Sequence, residues 1–336
     1  MKEVGKFNFS QEVHPDIFRI TLPLYGEKPG PVNSYLFIGD TITLLDVGSA
    51  FSTKQLKRAL SEHNIKFSDI DQIILSHGHP DHYGAARKIV KKSSGNTDIA
   101  IHYDDVIWIT IGSDVPAKQY AEFYKLTAIP FSLRLLMRII DKIYAIIVRP
   151  LKADLILNDG DEIILGKYQG KVISTPGHSK GSICIHIKED NILFSGDTIL
   201  GHITPNPFVM LEERKESPMR SSQKEYYDSL LKIEALSPDV VYPAHGKRIT
   251  DLKTLLENYR ETYSKRQARI LKLISGKEQN IYQIAQKLFP KIKGIIKMLI
   301  EVYPMMSEVY THIQVLQAEN KVDSTINRGV MKVVAR

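Results

Sequence analysis

The chain has 336 residues, a formal net charge of +7 and 43% hydrophobic residues; at roughly 100–200 residues per domain this suggests two domains, or one large domain with additions, and it excludes global disorder. The single cysteine, Cys184, excludes an intramolecular disulfide framework and a Cys-rich zinc module. No stretch reaches the roughly 18 uncharged apolar residues of a spanning helix, and the first twenty residues hold no uninterrupted apolar core of signal-peptide type, so the expectation is a cytoplasmic protein.

The elements follow in order. Ile17–Leu22 alternates apolar with polar residues, the period of a half-buried strand. The turn-rich segment 25–33 precedes a short apolar strand at 35–38, and a further strand at 41–46 ends in Asp46-Val-Gly-Ser. Residues 52–62 read as a helix with Leu56 and Leu60 on one face, 71–75 as a buried strand, 83–92 as a helix and 99–102 as a strand. Past Thr175 come strands at Ile183–Ile187, 192–195 and 240–242. Strands interleaved with helices predict an α/β body whose sheets are covered on the outside.

Residues 117–150 break that rhythm. Arg134, Arg138, Asp141 and Lys142 fall on one side of a helix over 131–148, with Leu, Ile and Met on the other. A helix docked on the body as a cap is the favoured reading, and a basic amphipathic helix on a membrane surface is the alternative. From about 247 the chain turns helical. Leu252–Ile274 is long and amphipathic, Asn280 with Gln283 forms a capping-box signature, and Ser307 is placed as the cap of a helix running to about 320. A hairpin follows, 322–326 and 330–334, with Asn327-Arg328-Gly329 as its turn. There is no internal repeat and no low-complexity tract. Charge follows the same division: residues 247–336 hold 17 Lys and Arg against 8 Asp and Glu, residues 117–152 hold 7 against 2, and the rest hold 21 against 28. An acidic body therefore carries two basic additions.

The most informative stretch is His77-x-His79-x-Asp81-His82, with three imidazoles and a carboxylate in six residues just past a buried strand. These are the usual donors for zinc and other first-row divalent ions. Gly78 frees the turn and Pro80 stiffens it. Three more segments each present one ligand-type residue beside a glycine after an apolar run: Thr-Pro-Gly-His178-Ser, Ser-Gly-Asp197-Thr and Tyr242-Pro-Ala-His245-Gly.

This motif set resembles the metallo-β-lactamase-fold hydrolases over roughly residues 17–250, interrupted by an insertion at about 104–160. The resemblance implies a four-layer αββα sandwich with metals at one edge, a 1–250 domain carrying the helical insertion, and a winged-helix-like domain at 251–336. It implies that His77, His79 and His178 bind a first metal, that Asp81, His82 and His245 bind a second, and that Asp197 bridges the two. Asp46 matches the aspartate that supports the ligand loop from behind. Two divalent ions are implied, zinc first, with iron or manganese as alternatives. An aspartate at the bridging position argues against a true β-lactamase, where Cys is common at the second site. The implied chemistry is attack by a metal-bridging hydroxide on a carbonyl or phosphorus, with Asp81 also orienting the nucleophile or passing a proton to the leaving group.

Among the other histidines, His102 and His186 read as structural and His14 and His63 as surface residues, while Cys184 faces its core. His202, a few residues past Asp197, is a candidate substrate contact. Tyr120, Tyr124 and Phe131 are candidates for a pocket wall. The Thr-Pro-Gly-His178-Ser and Ser-Gly-Asp197-Thr motifs are similar to the glyoxalase II-like branch, which cleaves acyl-thioesters, but the basic glutathione-binding residues of that branch have no match here. The tail, from Glu261-Thr-Tyr-Ser-Lys-Arg-Gln-Ala-Arg-Ile-Leu onward, resembles that of the β-lactamase-like-protein-2 group, some of whose members cut single-stranded RNA. The favoured function is a dinuclear metal-dependent hydrolase of a small ester, thioester or lactone. The alternative is a metal-dependent phosphodiesterase or ribonuclease, or a protein binding nucleic acid through its basic tail. A homodimer through that tail is the further partner weighed.

Overall fold

The computed structural model describes residues 9–24, 29–111, 117–209, 220–290 and 295–336. Part of the turn expected at 25–33, residues 25–28, lies outside the described residues. One sheet runs in chain order: β1 (Ser10–His14), β2 (Ile17–Leu22), β3 (Val32–Ile38), β4 (Ile42–Leu45), β5 (Gln72–Ile74), β6 (Asp98–His102) and β7 (Leu155–Leu157). It is antiparallel as far as β4 and parallel from β4 to β7. The parallel crossovers carry α1 (Thr53–Ser61), α2 (Pro80–Tyr83) and α3 (Ala86–Lys92), then α4 (Val106–Ile111), α5 (Ala117–Leu126) and α6 (Phe131–Ile147). A second sheet, ordered β12-β11-β10-β9-β8, consists of β8 (Glu162–Leu165), β9 (Tyr168–Ser174), β10 (Ile183–Ile187), β11 (Ile192–Gly196) and β12 (Val240–Pro243), with α7 (Ser222–Leu236) leading into β12.

Side-chain alternation makes four layers of these parts. On β3, Tyr35 and Phe37 face Phe194, Tyr242, Val172 and Ile185 between the sheets, whereas Leu36 turns to Leu56, Leu60 and Ile89 under the outer helices. On β10, Ile183 and Ile185 enter the same central layer, and Cys184 points the other way, to Tyr226, Leu230 and Leu256. β3 and β10 are buried on both faces, which explains why they read as apolar runs rather than as alternating strands.

The tail holds α8 (Leu252–Ile274), α9 (Ile281–Leu288), α10 (Ile295–Ala318) and a three-stranded sheet in which β15 (Val330–Ala335) lies between β13 (Gln279–Asn280) and β14 (Val322–Asn327). The Asn280 side chain accepts from Gln283 N–H, and the Gln283 side chain accepts from Asn280 N–H, the reciprocal box expected from sequence. The hairpin turn is only Arg328-Gly329, both at positive φ, with Asn327 paired to Val330. Ser307 does not cap a helix, because α10 continues through Pro304. The Ser307 hydroxyl instead accepts the Val209 N–H at 2.5 Å, tying the helix to the body.

The cap expected at 131–148 docks on the tail. Leu133 and Met137 of α6, with Phe123, Tyr124 and Ile129, join one apolar cluster with Ile270, Ile284, Met305, Val309 and Val333. Among the described residues, no helix is long and apolar enough to cross a membrane.

Candidate metal centre

The strand ends of both sheets meet at one edge. Asp46 follows β4, Ser76 and His77 follow β5, His178 follows β9, Asp197 follows β11 and His245 follows β12. The turn after β5 is tight, since a Cβ on Gly78 would lie 2.8 Å from the Trp108 Cβ. Three overlapping groups bring one ligand atom each within 4.8 Å of the others: His77, His79 and His178; His77, His82 and Asp197; Asp81, His82 and His245. All seven residues singled out as ligands are thus in one cluster of five imidazoles and two carboxylates.

Hydrogen bonds on the far sides of the rings set which nitrogen faces inward. His82 Nδ1 donates to Asp46 Oδ2 at 2.8 Å, leaving Nε2 at 3.7 Å from both Asp81 Oδ2 and Asp197 Oδ2. His245 Nδ1 lies 3.0 Å from the carbonyls of Gly30 and Pro31, and its Nε2 is 3.4 Å from Asp197 Oδ1. His178 Nδ1 donates to the Asn206 carbonyl at 3.1 Å, with Nε2 at 3.4 Å from Asp197 Oδ2 and 3.0 Å from His79 Nδ1. Asp46 also accepts from Ser76 N–H at 2.9 Å and Ser76 Oγ–H at 2.7 Å, and it is held at a left-handed φ of 56°. The Nε2 atoms of His77, His82 and His245 and Oδ1 of Asp197 are buried without a hydrogen-bond partner. Buried polar atoms are ordinarily satisfied, so four orphaned donor atoms converging on one cluster fit divalent cations.

A family model described as the metallo-beta-lactamase superfamily matches residues 28–245. The chain belongs to the metallo-beta-lactamase superfamily. It is 30% identical over 304 residues to the probable metallo-hydrolase YqjP of Bacillus subtilis (strain 168), covering 88% of this chain and 90% of that relative. A 52-residue stretch is 54% identical to acyl-coenzyme A thioesterase MBLAC2 of Homo sapiens, covering 16% of this chain and 19% of that protein. In fold it matches a metallo-beta-lactamase family protein from Thermus thermophilus with a TM-score of 0.80 at 21% identity, over 97% of this chain and 100% of the other. As a member of this superfamily the chain is a metal-dependent hydrolase.

Electrostatics of the superfamily site follow from burial. Desolvation pushes His77 and His79 below the ordinary histidine range and His178 down to about 3, so these rings are neutral at pH 7. At His82 burial acts in the same direction, but Asp46, Asp81 and Asp197 outweigh it and hold the imidazole well above its usual range. Burial raises Asp197, and the neighbouring His245 and His82 outweigh it and keep this carboxyl ionised. Carboxylates that draw a proton to His82 draw a cation to the same place.

The remaining candidates lie outside the cluster. His202 is exposed; its Nε2 donates to the Pro29 carbonyl at 2.7 Å, and its ring lies over Gly246, whose φ of 84° and missing Cβ admit it beside His245. Tyr120 and Tyr124 do not reach the ligands. They meet Tyr303 of α10, with ring centroids at 5.3 and 6.3 Å. Phe131 is exposed on α6 rather than in a wall. His102 bonds Ser174 Oγ and His186 bonds Asn191, both structural, and Cys184 is buried. His14 and His63 are half-buried, paired to Asp190 and Ser10 respectively, rather than free surface residues.

Three residues escaped the sequence reading. Asp105, fully buried, accepts from Gly78 N–H at 2.7 Å, Ser179 Oγ–H at 2.6 Å and Gly181 N–H at 2.8 Å, clamping the His77 turn to the His178 turn. Asn206 holds His178 through its carbonyl and donates from Nδ2 to Pro304 O at 3.0 Å. Phe208 packs edge-on against His79 and His178, centroids 5.4 and 5.1 Å, and lies parallel to Tyr303. Only the acidic Asp104-Asp105 pair past a strand gave any signal; loop residues carry no period.

Proposed function

We propose that the chain is a dinuclear metal hydrolase of acyl-thioesters with an apolar acyl group, and that esters and lactones are secondary substrates. The observation carrying this is the aromatic lane that leaves the His/Asp cluster: Phe208 against His79 and His178, then Tyr303, then Tyr120. Such an aromatic face suits an alkyl chain. The identity shared with the acyl-coenzyme A thioesterase over 52 residues supports the same class.

His77, His79 and His178 would hold one cation, Asp81, His82 and His245 the other, and Asp197 both, with zinc as the first expectation. When bound, such cations supply Lewis acidity and a water of lowered pKa. The protein's share is orientation and proton handling. Asp46, Asn206 and the Gly30–Pro31 carbonyls fix the ring tautomers of His82, His178 and His245, so that each of these three would present a lone pair to the site. Asp81 is the partly exposed carboxylate of the cluster, its side chain 23% accessible against 7% for Asp197, and it is placed to pass a proton between solvent and leaving group. A thiolate leaving group needs that proton least, which favours thioesters over alkyl esters.

The test is a substrate panel on purified, metal-loaded protein: acyl-thioesters of increasing chain length, aryl esters, lactones, a phosphodiester and single-stranded RNA. Highest kcat/KM on a medium or long acyl-thioester supports the reading. Turnover confined to the phosphodiester or RNA overturns it in favour of the nuclease alternative.

A further inference from the structure

Helix α6 is amphipathic, yet its docked face is narrow. Leu133 and Met137 are 7% and 6% exposed and pack on the tail. The opposite face also exposes apolar side chains: Phe131 is 73% exposed, Leu135 52%, Ile139 51% and Ile146 65%. At 100° per residue, Phe131, Leu135, Ile139 and Ile146 fall in one sector of about 80°. Cations accompany that sector: Arg134 and Arg138 flank one side of it, Lys142 falls within it and Arg149 lies just past the helix end, the first with its guanidinium over the Phe131 ring at 5.6 Å. Among the described residues none of these four is in an ion pair.

We propose that this face of α6 is a docking surface for an anionic lipid bilayer, lying in the plane of the interface with its apolar sector in the acyl boundary and its cations among the headgroups. At 1.5 Å per residue its 17 residues are about 25 Å long, and the helix lies on the membrane without crossing it. Charge selects this occupant. Residues 117–152 carry 7 Lys and Arg against 2 Asp and Glu, whereas the body excluding the two basic segments is acidic. A two-fold contact with a second copy would set the same four cations against themselves. A bilayer with anionic headgroups satisfies the apolar sector and the cations together. The surface is distinct from the metal centre, whose aromatic lane meets the tail, and the proposal does not depend on the substrate assigned above.

The test is cosedimentation of the full chain with two kinds of vesicle, phosphatidylcholine alone and phosphatidylcholine containing about 30% phosphatidylglycerol. The expected result is at least roughly tenfold stronger binding to the anionic vesicles, falling about tenfold between about 0.05 and 0.5 M salt as the Debye length shortens. Two variants separate the components: Leu135→Asp with Ile139→Asp, and Arg138→Glu with Lys142→Glu. Each is expected to lose roughly tenfold or more in vesicle binding, with the circular dichroism spectrum and the hydrolysis of a soluble substrate unchanged. Equal binding to both vesicle types, no binding at low salt, or wild-type binding by both variants overturns the proposal. So does a concentration-dependent dimer that the same substitutions dissociate while vesicle binding is absent.

Discussion

Asp46→Asn is the sharpest perturbation of the structure behind the ligands. Asp46 is 1% exposed and accepts three hydrogen bonds, from Ser76 N–H, Ser76 Oγ–H and His82 Nδ1–H, at 2.9, 2.7 and 2.8 Å. The last of these protonates Nδ1 and so leaves the Nε2 lone pair of His82 facing Asp81 and Asp197. Asparagine keeps the volume and one acceptor oxygen but presents an NH2 group to the ring. The imidazole then satisfies that donor by moving its proton to Nε2, the atom needed for a cation. Loss of such a partner typically costs 10–100-fold in metal affinity, or about 1.4–2.8 kcal/mol. The site containing His82, Asp81 and His245 should weaken by that factor, and the His77, His79 and His178 site far less. Competition against a chromophoric chelator reads both affinities, and thermal unfolding of the metal-free protein checks that the fold survives. Wild-type affinity at both sites in a folded Asp46→Asn variant would refute the tautomer argument.

Three other outcomes are expected. Phe208→Ala should raise KM roughly tenfold for long-chain acyl-thioesters and leave an acetyl-thioester unchanged; equal losses at all chain lengths would remove Phe208 from the acyl wall. His312 is fully buried, its two ring nitrogens lack partners, and burial, with Arg266 adding to it, pushes its pKa down to about 3. The unfolded chain binds the proton first, so stability present above pH 6.5 is lost as pH falls towards 3. His312→Leu should therefore flatten the urea-measured stability difference between pH 7 and pH 5 by about 2 kcal/mol, and an unchanged slope contradicts the burial argument. Asn280→Ala removes the side-chain acceptor of the α9 capping box and should lower stability by about 1 kcal/mol in urea unfolding; no measurable loss would show the box to be idle.

Much of the site was legible because its ligand types stand at strand ends. His77, His178, Asp197 and His245 each follow an apolar run beside a glycine, and a run of that kind puts the next residue at a sheet edge. Asp105 was not legible: its three acceptor contacts join segments about 30 and 75 residues away, and no local pattern encodes them. Phe208 and Tyr303 meet only because the tail folds back on the body. The Ser307 reading failed because α10 runs unbroken through Pro304 and the Ser307 hydroxyl is taken by the Val209 N–H. The periodicity of α6 identified the helix but not which of its two apolar sides would be covered.

The most direct test of a metal-dependent hydrolase built on these seven residues is metal stoichiometry and thioester turnover, measured together on wild-type protein and on Asp197→Asn. The expectation is two divalent ions per wild-type chain, activity lost on chelation and restored by metal, and loss of both bound metal and activity in the variant. Full turnover by exhaustively chelated protein, or an Asp197→Asn variant that keeps both its metal and its activity, would contradict the account.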